Sequence, residues 1–509
     1  MISAYTGTQI RTAEKPFLDE GMGAVLMQRA AYGLANAVVR ELRDRGERLY
    51  GASVAVLAAK GNNGGDGLFA AAMLARRGMR TTAVLTAGEA HTEGLAALKK
   101  AGGRVLRLTT GNTGDAAAAA AHADVAHADV VIDAVLGTGA QGGLRGPAAA
   151  LIEALGRSRP ALVVACDIPS GVDADSGEAH GPVLRADLTV TFGAAKAGLL
   201  ADPGADFTGR VHVVPIGIES ALPQPVLRRF EAEDLSVLLP HPERRSHKYS
   251  RGVLGVVAGS RRYPGAAVLA CRGALASGVG MVRYLGPPDV ADLVRRSCPE
   301  VVCGSGSAAE THVQAWLLGP GLDEEAHEQL ERVREAAATG LPVVADAGAL
   351  PALPHDLAPR FVLTPHAGEL AGLLARYGAD PGRTGVEDAT LAAARQASEL
   401  TGGTVLLKGA TTLVAAPSGT VFSQAEATPW LATAGSGDVL AGVLGSLLAQ
   451  LAEDSATFDS VGVPADDRWA GIAAMAASVH GRAGSRASAG GPVSASGIAE
   501  ALPGVLRAM

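Results

Sequence analysis

Aromatic side chains and cysteines are scarce in this sequence of 509 residues, which has 4% aromatic residues and four cysteines. The cysteines Cys166, Cys271, Cys298 and Cys303 form no C-x-x-C pair, which argues against a structural zinc site and a disulfide framework. The N-terminus lacks a basic segment followed by an apolar one, and no run of about 18 or more apolar residues is present. We therefore expect a cytoplasmic protein with no membrane partner and an aliphatic core that buries the cysteines.

Basic residues do not form a cluster that would suit nucleic acid. Lysine and arginine number 44 against 51 aspartates and glutamates, and the net charge is −7 with a pI near 6.0. Glycine, in contrast, is abundant at 66 residues, nearly twice the usual share of about 7%. No strict three-residue glycine period exists, which excludes collagen, and the aliphatic runs exclude general disorder. These features favour a small-molecule enzyme.

Strands and helices alternate along the chain, and its length suggests two domains. We predict a first series of strands at residues 52–59, 81–86, 104–108, 129–136, 161–166, 187–192 and 210–214. A second series is predicted from residue 252 and at residues 280–285, 314–318, 342–345, 361–363, 404–407, 412–416 and 421–423, followed by helices at 437–450 and 467–482. This pattern is typical of α/β folds with doubly wound parallel sheets, which bind ligands beyond the carboxyl ends of the strands.

A proline-containing segment separates the two series. Leu222-Pro-Gln-Pro-Val226 lacks periodicity, and its two prolines stiffen the chain. We therefore predict an N-terminal domain at residues 1–222, a linker at residues 223–230 and a C-terminal domain at residues 231–509.

A glycine-rich segment from Lys60 to Gly67 (KGNNGGDG) follows the first predicted strand and precedes a helix predicted from Leu68. The unhindered N–H groups of such a loop, together with the positive end of the next helix, can bind phosphate. The segment is neither a Walker A loop nor a GxGxxG fingerprint. A tight strand-to-helix turn with no ligand is the alternative.

Two further strand ends carry polar groups: Gly137 to Gly143 follows one strand and Asp167 follows the next. Asp133 lies inside its predicted strand, where an ionised carboxylate is costly unless it is paired or bound to a cation. With Asn63 and Ser170 it offers oxygen ligands that suit an alkali or alkaline-earth ion. Asp167 is the candidate general acid/base, with a capping role as the alternative.

The motifs GNNGGDG, VVIDAVLGTG and DIPSGVDA, in this order, resemble those of the NAD(P)H-hydrate epimerases over about residues 5 to 218. The resemblance implies a Rossmann-like fold, a K⁺ ion bound by Asn63, Asp133 and Ser170, and a catalytic Asp167. It also implies that the hydrated dinucleotide contacts Asn62, Asn63, Gly64, Gly65, Asp66, Gly137, Thr138, Gly139, Ala140, Gln141, Gly142 and Gly143. The sequence departs from the family's LMERAG at Gln28 and Ala31, which leaves a role for a glutamate there unsupported.

A second glycine-rich turn, Thr433 to Gly442 (TAGSGDVLAG), opens a predicted helix with Asp438 in its first turn. Its backbone N–H groups could stabilise a transferring phosphoryl group while Asp438 accepts a hydroxyl proton. This turn resembles that of the ribokinase-like superfamily and implies a ribokinase-like α/β domain. A capping aspartate is the alternative, but it does not account for the motifs that accompany the turn.

Those motifs are YPGAAVLA from Tyr263, LGPGL from Leu318, TPHAGE from Thr364 and LKGATT from Leu407. In this order they resemble the ADP- or ATP-dependent NAD(P)H-hydrate dehydratases over about residues 231 to 507. The resemblance implies hydrate contacts at Ala266, Gly321, His366 and the catalytic Asp438, and nucleotide contacts at Lys408, Gly409, Ala410, Thr411, Thr412 and Gly437.

The sequence departs from the dehydratase pattern at two positions. Asp323 replaces a glycine of the GPGLG form, and Gly348 replaces the last aspartate of the common DAD. Either change could reshape the mouth of the substrate site without affecting Asp438.

The two resemblances together imply repair of hydrated NADH and NADPH (NADHX and NADPHX), which carry a hydroxyl at C6 in R or S form. The N-terminal domain would interconvert the two forms with Asp167 in proton transfer. The C-terminal domain would transfer a phosphoryl group from ADP or ATP to the S hydroxyl, with Asp438 as base and Mg²⁺ on the phosphates. Exposed aliphatic helices permit assembly, and we expect a homo-oligomer.

Two alternatives stay open. One is a ribokinase-like small-molecule kinase fused to a dinucleotide-binding domain, whose product would be a stable phosphorylated alcohol. The other is an N-terminal half that only binds a dinucleotide or a protein partner.

Overall fold

The computed structural model describes residues 1–87, 89–108, 124–140 and 142–509. The chain divides into two compact units. Residues 3–226 form the N-terminal unit, and residues 227–509 form the C-terminal unit together with Met1 and Ile2.

The N-terminal unit alternates helices and strands. In chain order its described elements are β1 (Ile2–Tyr5), α1 (Gly7–Asp19), α2 (Gly23–Asp44), β2 (Ser53–Ala58), α3 (Asn62–Arg76), β3 (Arg80–Leu85), α4 (Thr92–Lys100), β4 (Arg104–Arg107), β5 (Val130–Ala134), α5 (Gly146–Ser158), β6 (Val163–Cys166), β7 (Leu188–Phe192), β8 (Ala195–Lys196), α6 (Gly204–Thr208) and β9 (Arg210–Val214). A parallel sheet has the order β4-β3-β2-β5-β6-β7-β9, and β8 pairs with β1. All seven strands predicted for this half are confirmed.

Helices cover both faces of this sheet, because successive side chains of a strand point to opposite faces. Val54, Val56 and Ala58 of β2 join a buried cluster that includes residues of α2 and α3. Ala55 and Leu57 join a second cluster that includes residues of α5. The predicted doubly wound fold is confirmed. The order in which the strands are added reverses between β2 and β5, and such a reversal opens the crevice where ligands bind in these folds.

The C-terminal unit is a second α/β structure. In chain order its described elements are β10 (Leu227–Arg229), α7 (Ala232–Leu238), β11 (Val253–Val257), α8 (Pro264–Ala276), β12 (Met281–Leu285), α9 (Pro288–Ser297), β13 (Val302–Gly304), β14 (Ala315–Leu318), α10 (His327–Ala337), β15 (Val343–Ala345), β16 (Phe361–Leu363), α11 (Ala367–Arg376), α12 (Gly382–Asp388), α13 (Thr390–Thr401), β17 (Thr404–Leu407), β18 (Thr412–Ala415), β19 (Val421–Gln424), α14 (Ser436–Leu451), α15 (Ser455–Ser460), α16 (Arg468–Ser488) and α17 (Ala495–Leu506). The predicted strands and both predicted helices are confirmed.

Its sheet has the order β13-β12-β11-β14-β15-β16-β17-β18-β19-β10. The pairs are parallel except for β17-β18 and β18-β19, which are antiparallel. The strand order reverses between β11 and β14, so a second ligand crevice is expected beyond the carboxyl ends of these two strands.

Part of the predicted linker is structured. Leu227–Arg229 forms β10, which runs parallel to β19. Leu227 and Phe230 are buried, and the Phe230 ring stacks on Phe422 with 5.0 Å between the ring centroids. These buried side chains lie shortly after the two prolines, and the prolines led us to predict a linker where the structure has a strand.

No described helix is both long and apolar enough to cross a membrane. The four cysteines are free: Cys166, Cys271 and Cys298 are buried, as expected, and Cys303 is partly exposed.

Candidate active sites

The first glycine motif is helical in the structure. Helix α3 begins at Asn62 with Gly61 as its N-cap, so the predicted loop through Gly67 is wrong. The helix packs tightly on the turn before it, because a Cβ atom on Gly64 would lie 2.1 Å from the carbonyl oxygen of Ala59. N–H groups in the first turn have no acceptor within the helix, and they still offer a place for an anion.

Two of the three predicted cation ligands, Asn63 and Ser170, bond to the peptide groups of Leu136, and the third, Asp133, bonds to Ser170. Asp133 is fully buried and accepts hydrogen bonds from the Ser170 N–H at 2.8 Å and the Ser170 hydroxyl at 2.6 Å. The Asn63 amide donates to the Leu136 carbonyl at 2.9 Å, and the Leu136 N–H donates to the Ser170 hydroxyl oxygen at 2.8 Å. Asn63 Oδ1 is buried without a hydrogen-bond partner, which is unusual for such an acceptor. These oxygens fit a hard cation.

Asp167 follows β6 in the left-handed backbone region, at φ 69°, which few residues other than glycine adopt. Its Oδ1 accepts hydrogen bonds from the Lys196 ammonium and, at 3.2 Å each, from the Thr191 hydroxyl and the Phe192 N–H. Its Oδ2 accepts one from the Thr138 hydroxyl. Burial opposes ionisation, but the Lys196 charge and these hydrogen bonds outweigh it and hold the pKa of Asp167 below its ordinary value.

Two further carboxyl groups interact electrostatically with Asp167. Asp66 of α3 is buried, and its Oδ1 has no hydrogen-bond partner. Burial, and then the negative charges of Asp167 and Glu14, raise the pKa of Asp66 well above its ordinary value. Burial also raises the pKa of Glu14 on α1, although the charge of Lys196 opposes it. A carboxyl group with a lowered pKa thus lies near one with a raised pKa, and such pairs serve acid/base chemistry.

Sequence reasoning missed Lys196 and Glu14. Lys196 lies just beyond β7, in the segment TFGAAK, so the rule of examining residues after each strand would have found it. Glu14 lies within a helix whose spacing gives no sign of a site.

The rest of the segment after β5 has mixed surroundings. Gly137 lies against Asn63, and a Cβ atom on Gly143 would lie 2.1 Å from the carbonyl oxygen of His180. Gly139 and Gly142 are exposed, Ala140 is half-buried, and Gln141 lies outside the described residues.

Asp438 lies in the first turn of α14, close to a lysine that another carboxylate has engaged. The Nζ atom of Lys408 is 2.8 Å from Asp346 Oδ1 and 3.8 Å from Glu369 Oε2. A Cβ atom on Gly437 would lie 3.6 Å from that Nζ atom, so the lysine faces the start of α14. Burial, and then the negative charge of Asp346, raise the pKa of Asp438 to about 6, while Lys408 acts in the opposite direction.

The structure therefore brings Lys408 and Gly437, both predicted nucleotide contacts, to the predicted base. The remaining predicted nucleotide contacts continue from Lys408: Gly409 and Ala410 are exposed, Thr411 is buried and Thr412 begins β18.

Sequence reasoning gave no role to Asp346 or Glu369. Asp346 is 3% exposed and also accepts a hydrogen bond from the Thr364 hydroxyl at 2.9 Å. Both carboxylates lie in segments that were noted for other reasons, the departure from DAD and the TPHAGE motif. Only the fold shows that they meet at Lys408.

His366 caps helix α11. The ring Nδ1 of His366 accepts a hydrogen bond from the Glu369 backbone N–H at 3.2 Å, and the backbone N–H of His366 donates to the Glu369 carboxylate at 2.9 Å. His366 therefore has a structural role as the N-cap of this helix. The ring is 60% exposed, which leaves its predicted contact with the hydrate open.

Ala266 and Gly321 lie together where the strand order of this unit reverses. Gly321 has φ 67°, and a Cβ atom on it would lie 2.5 Å from the Cβ atom of Ala266. Ala266 is in the first turn of α8, and a Cβ atom on Gly435, the N-cap of α14, would lie 2.4 Å from Leu269 in that same helix. The starts of α8 and α14 are therefore adjacent.

The two departures from the dehydratase pattern involve one turn. A Cβ atom on Gly348 would lie 2.4 Å from the carbonyl oxygen of Leu322, which precedes Asp323. Asp323 accepts a hydrogen bond from the Ser260 hydroxyl at 3.1 Å. An aspartate at position 348 would require this turn to move.

Two family models match this chain, one in each of its two units. One family model, described as NAD(P)H-hydrate dehydratase, matches residues 254–502, and another, described as YjeF-related protein N-terminus, matches residues 23–198. The chain is 42% identical over 453 residues to the bifunctional NAD(P)H-hydrate repair enzyme Nnr of Mycobacterium tuberculosis, covering 87% of this chain and 89% of that protein. It is 35% identical over 467 residues to the protein of the same name from Moorella thermoacetica, covering 84% of each. The crystal structure of the ADP/ATP-dependent NAD(P)H-hydrate dehydratase of Bacillus subtilis, co-crystallised with ATP and Mg²⁺, is 25% identical, with a TM-score of 0.46, and covers 55% of this chain and 98% of that one.

Proposed function

The chain belongs to the family of bifunctional NAD(P)H-hydrate repair enzymes, and on that premise we propose how its two units share the work. The N-terminal unit interconverts the R and S forms of NADHX and NADPHX, with Asp167 in proton transfer. The C-terminal unit dehydrates the S form with ADP or ATP, with Asp438 as base. One observation carries this division: each unit has its own sheet and its own aspartate with a lysine close by, Asp167 after β6 and Asp438 in the first turn of α14.

Asp438 accepts the proton of the C6 hydroxyl as the hydroxyl oxygen bonds to the terminal phosphorus of ADP or ATP, and the bond from that phosphorus to its bridging oxygen breaks to release AMP or ADP. A pKa of about 6 keeps this carboxylate ionised near neutral pH and still close to the working range of a general base. The lone pair of the ring nitrogen then expels phosphate from C6, and the released phosphate or water takes the proton from C5, which restores the ring double bond. Phosphate is a better leaving group than hydroxide, and this difference is the reason to use a nucleotide.

Lys408 and the first N–H groups of α14 bind the transferring phosphoryl group, since both face the position beside Gly437. Mg²⁺ would neutralise charge on the phosphates. Within the described ranges no group of three or more His, Cys, Asp or Glu side chains is arranged to hold a metal ion. Asp346 and Glu369, the two carboxylates beside Lys408, would bind an ion that arrives with the nucleotide.

In the N-terminal unit, K⁺ would bind Asn63, Asp133 and Ser170. The partnerless Asn63 Oδ1 and the buried Asp133 carboxylate support this assignment. Such an ion would hold the peptide at Leu136 and, through it, the segment that carries Thr138. The buried free cysteines support the expected cytoplasmic location, and a homo-oligomer stays a prediction.

Asp167→Asn and Asp438→Asn variants of the full chain test the division. Asparagine is close in shape to aspartate and tolerates the left-handed backbone at position 167. Each variant is given mixed R and S hydrate with ADP and then with ATP; near-ultraviolet absorbance follows the dihydronicotinamide, and chromatography separates the two forms.

The Asp167→Asn variant should convert the S form completely and leave the R form. The Asp438→Asn variant should interconvert the forms and restore neither. Loss of both activities in either folded variant contradicts two independent sites. Persistent epimerisation in Asp167→Asn removes Asp167 from the proposal.

A further inference from the structure

The two oxygens of the Asp167 carboxylate have different partners. Oδ1 accepts three hydrogen bonds, from the Lys196 ammonium, the Thr191 hydroxyl and the Phe192 N–H. Oδ2 accepts one, from the Thr138 hydroxyl. An oxygen can take up a proton easily only if its hydrogen-bond donors can give way, so the two oxygens are not equivalent in proton transfer.

Lys196 keeps Oδ1 occupied as a hydrogen-bond acceptor, because its ammonium group is buried and has no alternative partner for that proton among the described residues. Lys196 is 1% exposed, and besides Asp167 its ammonium donates to the Thr191 hydroxyl oxygen at 2.9 Å and to the Phe192 carbonyl at 3.0 Å. An ammonium group has three protons to donate and no acceptor, and all three are used here. A proton on Oδ1 would have to displace at least one of the three donors, whereas a proton on Oδ2 leaves Oδ1 able to accept from all three.

Oδ2 has a partner that can reverse. A hydroxyl donates to an ionised oxygen and accepts from a protonated one, so the Thr138 hydroxyl can stay bonded to Oδ2 in both states. The backbone beside it is held in place, since Arg11 Nη1 donates to the Thr138 carbonyl at 2.9 Å. The hydroxyl can therefore turn without movement of the loop.

We propose that Oδ2 of Asp167 is the atom that exchanges the proton with the hydrate, that the Thr138 hydroxyl reverses as it does so, and that Lys196 is a positioning residue that reserves Oδ1. The proton passes between the substrate hydroxyl and Oδ2, while Lys196 keeps its three protons. These assignments rest on the proposed function of Asp167, and they add which oxygen works and which residues make it so.

Thr138→Val and Thr138→Ser variants of the full chain test the role of the hydroxyl. Valine has the shape of threonine but can neither donate nor accept, whereas serine can do both. With Val at this position, kcat for conversion of R to S should fall about 100-fold with KM nearly unchanged, a loss typical of impaired proton transfer. The serine variant should stay within about threefold of the wild type. Dehydration of pure S hydrate should be equal in both and serves as the control for enzyme concentration.

Lys196→Gln tests the positioning role. Glutamine retains an N–H donor but removes the charge, so kcat for epimerisation should fall by more than about tenfold while KM changes little. Hydrogen exchange in β6 and α3 shows whether this unit is folded. If the Gln variant is unfolded, Thr191→Val replaces it: this change removes a hydroxyl shared by Lys196 and Asp167, and a smaller fall in kcat is expected.

The outcomes separate this inference from the proposed function. Equal kcat in the Val and Ser variants at position 138, or unchanged kcat in a folded Lys196→Gln variant, overturns the inference. Inactive Asp167→Asn together with fully active Thr138→Val overturns the assignment of Oδ2 and leaves the role of Asp167 intact. Persistent epimerisation in Asp167→Asn overturns both.

Discussion

Both units combine an aspartate with a lysine, but the lysine is bonded to a different carboxylate in each. In the N-terminal unit the Lys196 ammonium is bonded to Asp167 itself, and the pKa of Asp167 is lowered. In the C-terminal unit Lys408 is bonded to Asp346, and burial together with the Asp346 charge raises the pKa of Asp438 to about 6. The same residue types therefore give opposite shifts: burial acts to raise the pKa of both aspartates, and it is outweighed only at Asp167, where the lysine and other donors bond to the carboxylate directly.

Exposure differs in the same way. The side chain of Lys196 is 1% exposed, whereas that of Lys408 is 22% exposed. A lysine that only holds a carboxylate can be enclosed, while one that meets the phosphates of an arriving nucleotide must stay accessible. The two sites thus use one kind of ion pair for two purposes, permanent positioning and ligand binding.

The largest expected effect comes from replacing each lysine by methionine. Lys196→Met leaves Asp167 buried without a counter-charge and should destabilise the N-terminal unit by about 3–5 kcal/mol. Lys408→Met should cost clearly less, because the lysine is partly exposed and Asp346 keeps the hydroxyl of Thr364. Hydrogen exchange, read separately for peptides of each unit, measures both losses. Equal losses would show that the two pairs do not differ as their burial indicates.

Glycines in the two motifs should also differ in effect. Gly64→Ala places a Cβ atom 2.1 Å from the Ala59 carbonyl oxygen and should cost about 1–3 kcal/mol through forced movement of α3. Gly437→Ala places one 3.6 Å from Lys408 Nζ, an ordinary contact, so this variant should fold normally but bind nucleotide less tightly.

Thermal unfolding and the KM for ADP distinguish these two effects. Gly61→Ala is the control for stability, since nothing lies within 4 Å of its added Cβ atom. A Gly64→Ala variant as stable as this control would mean that the glycine serves ligand binding and not packing.

Much of the fold could be predicted because buried parallel strands leave short Val-rich runs between glycines, as in Ser53–Ala58. The start of α3 at Asn62 could not be predicted, because its first two turns contain three glycines and glycine has low helix propensity. Tertiary packing stabilises the helix there. Asp167 was found as a polar residue at a strand end, and Asp438 was found in the first turn of a helix that a glycine-rich turn opens. Lys196 was missed because its neighbours are small and apolar, and Asp346 because its partner Lys408 is distant in sequence.

Acid pH should separate the two activities. Asp438 must be ionised to accept a proton, so dehydration should decline as pH falls through about 6. At pH 5 about one tenth of this carboxyl is ionised, and kcat should be about tenfold below its plateau. Epimerisation should show no decline at this pH, because the pKa of Asp167 lies below the ordinary aspartate value. Initial rates with pure S and pure R hydrate measure the two limbs, and a shared limb near pH 6 would contradict the difference.

Asp346→Asn makes the C-terminal pairing more like the N-terminal one. The change removes a negative charge near Asp438 and frees Lys408, so the pKa of Asp438 should fall and the acid limb of dehydration should move to lower pH. Because burial is the larger cause of the raised pKa, the limb should move only part of the way to the ordinary aspartate value. The position of the limb is the readout, since loss of a carboxylate near the phosphates also lowers the plateau.

Thr364→Val is the matched control: it removes a hydrogen bond to Asp346 but no charge, and its limb should stay near pH 6. A limb that stays there in Asp346→Asn as well would mean that burial alone sets the pKa of Asp438.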